Sequence, residues 1–506
     1  MDCYLVFIMD DSQSYFNLSR LNDGIPMNDY SRLLVRFVDQ FSEIINSSDK
    51  LENMGRPSFK DSDMVKLILY AYHQDITSSV RIEDLAKYHQ VYRYVSNDIQ
   101  PSERTIRRFV QEKGYLFKFL LGLTLIFAQE IGITEFKHLS IDGTIKKANN
   151  NKYNVIDKKT LYKLLKHYLG SPLSDDEIEK LPYPARKFLD RKDLSLKCKI
   201  DLLNEMKTQL EMSGQNTVPV NDVEARWMLN KKEIKEPSFN IQSAVDTESK
   251  LICAVKVSKS PTDHYELPQI VEQAIDTLES EPEIISADTG YHTQVTFDFL
   301  RNKKFKGLIP DRQQTREKTG RLSENPFHKD HFKYNYDKNI FICPNKQELP
   351  FKYQYTETKD DEDKIIKIKN IYSNYNVCKE CKNKKECCNG KFRQITEYMD
   401  EYALNMKKTM NSEEGSKEFK KRSSTVEAPF GTLKFNFGMN NLLTKGVQHT
   451  EDVLTIFSTA YNLKRIYNTI QDEINETNNI KLFKEKMEIL LNLDLKITEI
   501  PPKFNS

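Results

Sequence analysis

Apolar residues recur at helical spacing through the first quarter of the chain. Residues 28–46 place leucine, phenylalanine, valine and isoleucine side chains on one stripe, which predicts an amphipathic helix. The same pattern predicts helices over 63–74 and 83–95, and the start signal Pro101-Ser102-Glu103 opens a longer one. We therefore expect an all-helical unit over residues 1–130.

From residue 137 the pattern changes to short strands that alternate with helices. Residues 137–142 alternate like a strand that ends at Asp142, and a lysine-rich helical stretch covers 157–212. Two β-branched runs around a polar turn predict a hairpin over 239–258. A helix and two strands are then predicted over 264–280, 281–291 and 305–310. This order predicts an α/β sheet with mixed strand directions.

The remainder of the chain interrupts this pattern and then resumes it. Residues 311–400 are polar and rich in lysine, aspartate and glutamate, which indicates an insertion. An amphipathic helix is predicted over 451–470, and the tail 471–506 predicts one more surface helix.

Composition excludes several classes of protein. With 76 Lys and Arg against 74 Asp and Glu, the chain is not a uniformly basic nucleic-acid wrapper, although a localised basic face remains compatible with this balance. The sequence has no apolar run near the ~20 residues that span a bilayer. Its first residues lack the basic start and small-residue cleavage site of a signal peptide. We expect a cytoplasmic protein without a membrane partner.

Five of the eight cysteines cluster, which in a reducing compartment favours metal binding over cross-linking. Cys378 and Cys381 have the spacing of a metal knuckle. A structural Zn²⁺ site needs four thiolates, and the candidates are Cys343, Cys378, Cys381, Cys387 and Cys388. The spare cysteine leaves the ligand set open, and reduced, unligated thiols are the alternative.

A short helix, a break and an arginine-bearing helix resemble a helix-turn-helix, whose second helix enters a DNA groove. The arginines are Arg104, Arg107 and Arg108. Either they contact DNA or they form the solvated face of a helical bundle.

Three acidic residues stand in unusual local contexts. Asp142 and Asp288 each end a predicted strand and are followed within two residues by glycine, whereas Glu427 opens a predicted helix in a mostly neutral patch. Ligands bind at the carboxyl ends of strands in open α/β sheets. Three converging carboxylates would need a hard divalent ion such as Mg²⁺ to neutralise them. Taken singly, each acid would instead be a cap or a surface residue.

The order of these motifs resembles the signature of DDE transposases of bacterial insertion sequences. It is most similar to the branch with a helical N-terminal domain and a cysteine-bearing insertion before the last acid. The resemblance spans roughly residues 15–470. It rests on Asp142-Gly143-Thr144, Asp222-x-Glu224-Ala225-Arg226, Asn240-x-Gln242, Ala287-Asp288-Thr289-Gly290-Tyr291, Arg422, Val426-Glu427-x-x-Phe430-Gly431-x-x-Lys434 and Ala460-Tyr461-Asn462-Leu463.

This resemblance implies a ribonuclease-H-like α/β fold that holds Asp142, Asp288 and Glu427 around two Mg²⁺ or Mn²⁺ ions. Water would attack a phosphodiester at the end of the element, and the freed 3′-hydroxyl would attack target DNA. The implied partners are terminal inverted repeats, target DNA and a second copy of the chain in a synaptic complex, with no small-molecule substrate.

Several further residues are expected near the DNA. Lys434 lies two helical turns after Glu427, and Arg422 lies just before that helix, so both are expected to contact phosphate. Asn149 and Tyr291 are expected to position DNA. Asp263, which follows a predicted strand, is expected to support the site or cap a helix.

The expected organisation follows from these patterns. A helical DNA-binding domain (1–130) precedes a catalytic domain (131–310 and 401–470), which is interrupted by a helical insertion (151–235) and a cysteine-rich insertion (311–400), with the tail at 471–506. Two alternatives remain open: a nuclease of the same fold that cuts without joining, and a non-catalytic DNA-binding protein derived from a transposase.

Overall fold

The computed structural model describes residues 22, 24–47, 58–230, 232–358, 365–398, 400–422, 425, 442, 444–479 and 481–493. Within these ranges no helix is long and apolar enough to cross a bilayer.

A six-stranded mixed sheet forms the centre of the molecule. Strand β1 pairs antiparallel with β5 on one side and parallel with β7 on the other, and β8 continues the parallel half. Strands β4 and β6 both pair antiparallel with β5. The strands are β1 (His138–Lys147), β4 (Arg226–Leu229), β5 (Lys235–Asp246), β6 (Ile252–Ser258), β7 (Ile284–Ser286) and β8 (Lys306–Leu308). This mixed sheet and its flanking helices confirm the expected ribonuclease-H-like α/β fold.

The predicted hairpin is present, because β5 and β6 are joined by the turn that begins at Asp246. The prediction that the first strand ends at Asp142 is wrong, since β1 continues to Lys147. The physical reason is that β5 pairs with β1 as far as Lys147, whereas the pairing with β7 stops at Ser140. Asp142 therefore lies in the middle of β1, just beyond the parallel half of the sheet.

The N-terminal part of the chain is helical, as predicted. Asp29 caps the first helix, and Ser102 caps Glu103–Glu112. The single long helix expected after Ser102 is divided at Lys113 into two helices. The helices are Tyr30–Gln40, Ser42–Asn46, Asp61–His73, Ser79–Tyr88, Gln90–Val95, Glu103–Glu112 and Gly114–Glu130.

One hydrophobic core joins these helices to the central sheet. It contains Phe37, Leu120, Ile141, Val245 and Ile466, which belong to the N-terminal helices, the sheet and the long helix Val447–Thr477. The tail helix Leu482–Leu491 also buries Phe483 and Met487 in this core rather than lying on the surface alone. Helices Leu267–Leu278 and Gln294–Lys303 precede and follow β7.

Two insertions have small cores of their own. The first has four helices, three of which pack against the two-stranded sheet β2 (Val155–Asp157) and β3 (Thr217–Pro219), whereas Asp175–Glu179 buries no side chain. Its helices are Lys158–Tyr168, Asp175–Glu179, Tyr183–Leu189 and Leu196–Ser213.

The second insertion contains a five-stranded antiparallel sheet in the order β13-β12-β11-β10-β9, which the polar sequence did not predict. The strands are β9 (Lys333–Asn335), β10 (Ile340–Ile342), β11 (Glu348–Thr358), β12 (Ile365–Ser373) and β13 (Gln394–Tyr398). Its short helices are Arg312–Thr319 before the sheet, Tyr375–Lys379 and Lys384–Cys387 between β12 and β13, and Glu401–Asn411 after it.

Asn462 joins the long helix to the outer edge of β6, the side that does not pair with β5. Its side-chain amide accepts from the backbone N–H of Ile252 and donates to the carbonyl of the same residue, both at 2.9 Å. It also donates to Thr124 Oγ1 at 3.1 Å, and its side chain is fully buried. The amide thus satisfies both backbone groups of an edge-strand residue that water cannot reach.

Asn462→Ala is expected to lower the free energy of unfolding by about 3 kcal/mol, because two buried backbone groups lose their partners. Denaturant unfolding followed by circular dichroism measures the change. Asn468→Ala on the exposed face of the same helix is the matched control and is expected to have little effect. Equal stability of the two variants would contradict the bridging role of Asn462.

Candidate functional site

The parallel half of the sheet brings two of the predicted acids side by side. In the register of β1 and β7, His138 pairs with Ile284 and Ser140 with Ser286. Asp142 comes two residues after Ser140, and Asp288 comes two residues after Ser286. The strand pairing itself ends at Ser140 and Ser286, but the negative charges of both acids act on Tyr291, which places the two acids in one neighbourhood. Both residues are half-buried.

Asp288 is fixed by the turn that it begins. After β7 the chain forms a short 3-10 turn over Thr289–Tyr291, and Asp288 is its N-cap. The Asp288 Oδ1 atom accepts from the backbone N–H of Gly290 at 2.7 Å. Glycine at 290 leaves room here, because a Cβ would stand 2.9 Å from Asp288 Oδ1.

A buried arginine pairs with the other acid. Arg422 ends the described helical stretch 413–422, and its Nη2 donates to Asp142 Oδ1 at 2.8 Å and to the Ile141 carbonyl at 3.2 Å. Its side chain is only 12% exposed and that of Asp142 only 19%. One turn earlier on the same helix, Glu418 contacts His138 Nδ1 at 2.8 Å. These two contacts hold the helix across β1 and place a cation beside the two acids.

A third aspartate completes the cluster. Asp263 Oδ1 accepts from Asn240 Nδ2 at 2.8 Å and from Gln242 Nε2 at 2.7 Å, and both donors lie on β5. Tyr291 in turn donates its hydroxyl to Gln242 Oε1. Asp263 was expected either to support the site or to cap a helix. Its contacts join it to β5, and the N-cap of the following helix is Glu266.

The side chain of Tyr291 is fully buried, and its hydroxyl points at Gln242. Its expected role in positioning DNA stays a prediction. Burial, together with the negative charges of Asp263, Asp142 and Asp288, raises the pKa of Tyr291 well above its usual value, which keeps the phenol protonated as a donor.

The remaining predicted residues lie in different places. Asn149 is half-buried just beyond the end of β1. The three arginines of helix Glu103–Glu112 are exposed, opposite the buried Ile106 and Phe109. The five clustered cysteines line one cavity of the second insertion. Glu427 and Lys434 lie outside the described residues.

The motif that begins at Asp222 has a role that sequence reasoning left unassigned. Asp222 Oδ1 accepts from the backbone N–H of Gly446 at 3.1 Å, and Glu224 Oε2 accepts from that of Val447 at 2.8 Å. These carboxylates meet the positive N-terminal end of the helix Val447–Thr477. The motif anchors this helix and does not enter the acid cluster.

Within the described part of the chain, no group of three or more His, Cys, Asp or Glu side chains stands ready to hold a metal ion. The donors present at the acid cluster nevertheless suit a hard divalent cation. They are carboxylate oxygens, and the nearby Arg422 guanidinium already supplies one positive charge to Asp142.

Two family models match the sequence. Residues 342–467 match a transposase DDE domain, and residues 19–112 match a transposase domain (DUF772). The chain resembles the DDE transposases in both ranges. These matches confirm the resemblance seen in the sequence and support the nuclease and transposase class of enzymes, in which DDE domains generally depend on divalent metal ions.

The DDE match includes Arg422 and Glu427, whereas Asp142 and Asp288 lie between the two matched ranges. Among solved structures, the chain aligns with a piggyBac transposase synaptic complex with hairpin DNA. The two are 9% identical, with a TM-score of 0.32, over 92% of this chain and 80% of that chain. None of the curated proteins matches the sequence.

Gly143→Ala tests how closely the cluster packs around β1. A Cβ at this position would stand 2.5 Å from Asp263 Oδ1 and 2.6 Å from Gln242 Nε2. We expect the free energy of unfolding to fall by about 2 kcal/mol, because the buried polar groups must move apart. Thermal unfolding measures this.

Gly122→Ala is the matched control, since its Cβ would meet only Thr277 at 3.5 Å or more inside a helix, where alanine is favoured. A Gly143→Ala protein as stable as the control would show that Asp263 and Gln242 are not closely held.

Proposed function

We propose that the chain is a transposase that cleaves the ends of an insertion sequence and joins them to target DNA, with Asp142, Asp288 and Glu427 as the metal-binding acids. The observation that carries the proposal is the parallel register of β1 and β7, because Asp142 and Asp288 each follow the last paired residues by two positions. Carboxylates that lie close together favour a divalent cation between them.

Contacts made by residues close to Glu427 in the sequence support Glu427 as the third metal-binding acid. Arg422 contacts Asp142, and Thr425 donates its hydroxyl to the Thr247 carbonyl at 3.3 Å, where Thr247 in turn contacts Ser140 of β1. Glu427 follows Thr425 by only two residues, so a short segment is enough to bring its carboxylate to the cluster.

Two Mg²⁺ ions, when bound, would stabilise the attacking and leaving oxygens of an in-line phosphoryl displacement. In cleavage, an oxygen of water forms a bond to phosphorus while the bond from phosphorus to the 3′ oxygen breaks. In joining, the freed 3′-hydroxyl attacks a phosphodiester of target DNA and displaces a target 3′-hydroxyl. The proton of each attacking hydroxyl is lost as the displaced oxygen gains one.

The protein residues would position the reactants in this scheme. Asp142 and Asp288 would hold the ions, and Asp263 with Asn240 and Gln242 would fix the chain segment around them. Arg422 is proposed to contact a DNA phosphate, because a guanidinium pairs well with phosphate oxygens. Lys434 and Asn149 are proposed as further DNA contacts.

We expect Asp142→Asn, Asp288→Asn and Glu427→Gln each to reduce strand cleavage at least about 100-fold while DNA binding persists, since each removes a charge that metal binding needs. The assay uses the full-length protein, Mg²⁺ and a plasmid that carries the DNA flanking the coding region on both sides.

Asp276→Asn, an exposed change on helix Leu267–Leu278, is the control and should cleave normally. Cleavage retained in any of the three variants would remove that residue from the site. Cleavage by the unaltered protein without joining to a second duplex would favour a nuclease, and binding without cleavage would favour a non-catalytic DNA-binding protein.

The exposed arginines of helix Glu103–Glu112 are proposed to contact DNA phosphates. Arg107 is partly engaged by Glu103 at 3.3 Å, whereas Arg104 and Arg108 are exposed. The double variant Arg104→Ala/Arg108→Ala should therefore bind DNA more weakly. The slope of the logarithm of the DNA-binding constant against the logarithm of the salt concentration should also decrease in magnitude, by about 0.9 for each lost phosphate contact.

Fluorescence anisotropy at several salt concentrations measures both quantities. Lys484→Ala removes a charge that is 80% exposed on the tail helix and serves as the control. An unchanged salt slope in the double variant would assign these arginines to a solvated face.

A further inference from the structure

The sheet β9–β13 has too small a core for its size. Five side chains are fully enclosed in it: Phe332, Phe341, Leu349, Tyr372 and Ile395. Several of its aromatic residues are exposed, including Tyr353 at 53%. A unit with so little apolar burial usually needs a disulfide or a metal ion to hold it together.

The connections at one end of this sheet carry all five clustered cysteines. Cys343 lies in the turn between β10 and β11, and the others lie between β12 and β13. Strands alternate in direction in this antiparallel sheet. Both connections are therefore at the same end, where their side chains line one cavity of about 30 Å³.

Hydrogen-bond donors already point at two of the sulfur atoms. The backbone N–H of Gln347 donates to Cys343 Sγ at 3.3 Å, and Asn345 Nδ2 donates to Cys381 Sγ at 3.5 Å. Outer donors of this kind hold thiolate ligands in orientation. The guanidinium of Arg393 also lines the cavity, and its buried Nε has no partner among the described residues.

The neighbouring residues Cys387 and Cys388 differ in their surroundings. Cys387 packs with Cys343 against the small core, whereas Cys388 is not among the side chains packed against that core. Cys388 instead directs its thiol to the Gly390 carbonyl at 3.8 Å. This difference distinguishes the fourth ligand from the spare cysteine, a choice that sequence spacing left open.

We propose that the cavity binds one Zn²⁺ through Cys343, Cys378, Cys381 and Cys387, and that this ion ties the β10–β11 turn to the β12–β13 connection. Four thiolates from two chain segments match the ligand set of a structural zinc site. Because no three potential ligands of the described chain stand together as placed, binding requires the thiols to turn about their Cα–Cβ bonds into the cavity.

The test is the metal content of the full-length protein purified from zinc-supplemented medium under reducing conditions. We expect about one Zn²⁺ per chain in the unaltered protein, a loss of that ion in Cys387→Ser and its retention in Cys388→Ser. The adjacent variants control for each other, because both remove one thiol from the same connection. An Asp142→Asn/Asp288→Asn protein should keep the ion, which separates this site from the proposed catalytic acids.

Co²⁺ titration of the unaltered protein is the second measurement, and it does not depend on how well a variant folds. Tetrahedral thiolate coordination should give sulfur-to-cobalt charge-transfer bands, which Zn²⁺ then displaces. Absence of both zinc and these bands would overturn the site. Retention of zinc in Cys387→Ser, or its loss in Cys388→Ser alone, would overturn the assignment of the fourth ligand. Neither result would bear on strand cleavage.

Discussion

The carboxylates of Asp142 on β1 and Asp288 just after β7 repel each other, and nearby groups of the central sheet compensate their charges. Asp142 and Asp288 are both half-buried, so water screens their charges only in part. Arg422 supplies a compensating charge to Asp142, and the Gly290 N–H donates to Asp288. Both contacts offset negative charge at the cluster.

The sheet that carries the acid cluster packs against elements that are far from it in sequence. The long helix Val447–Thr477 packs along β6, where Asn462 completes the hydrogen bonds of the strand edge. Asp222 and Glu224 hold the N-terminal end of the same helix. The N-terminal helices share one core with this helix and the sheet, and packing is continuous across residue 130.

The two insertions are more independent, since each buries its own apolar side chains. The helical insertion enters between β1 and β4, and the five-stranded sheet enters between β8 and the helical residues that end at Arg422. Insertions at these positions leave the strand order of the central sheet intact. They do not change the register of β1 and β7, after which Asp142 and Asp288 follow.

Local sequence determined the elements whose signals are short-range. Helical periodicity, the start signal at Ser102 and the polar turn after Asp246 indicated helices and a hairpin that are present, and the ordered motifs indicated the family. Only the tertiary structure decided the length of β1, the five-stranded sheet of the polar insertion, the burial of Tyr291 and the pairing of Arg422 with Asp142. These features depend on strand partners and side-chain contacts between residues distant in the chain. Alternating polar strands with a small shared core leave little hydrophobic signal in any one segment.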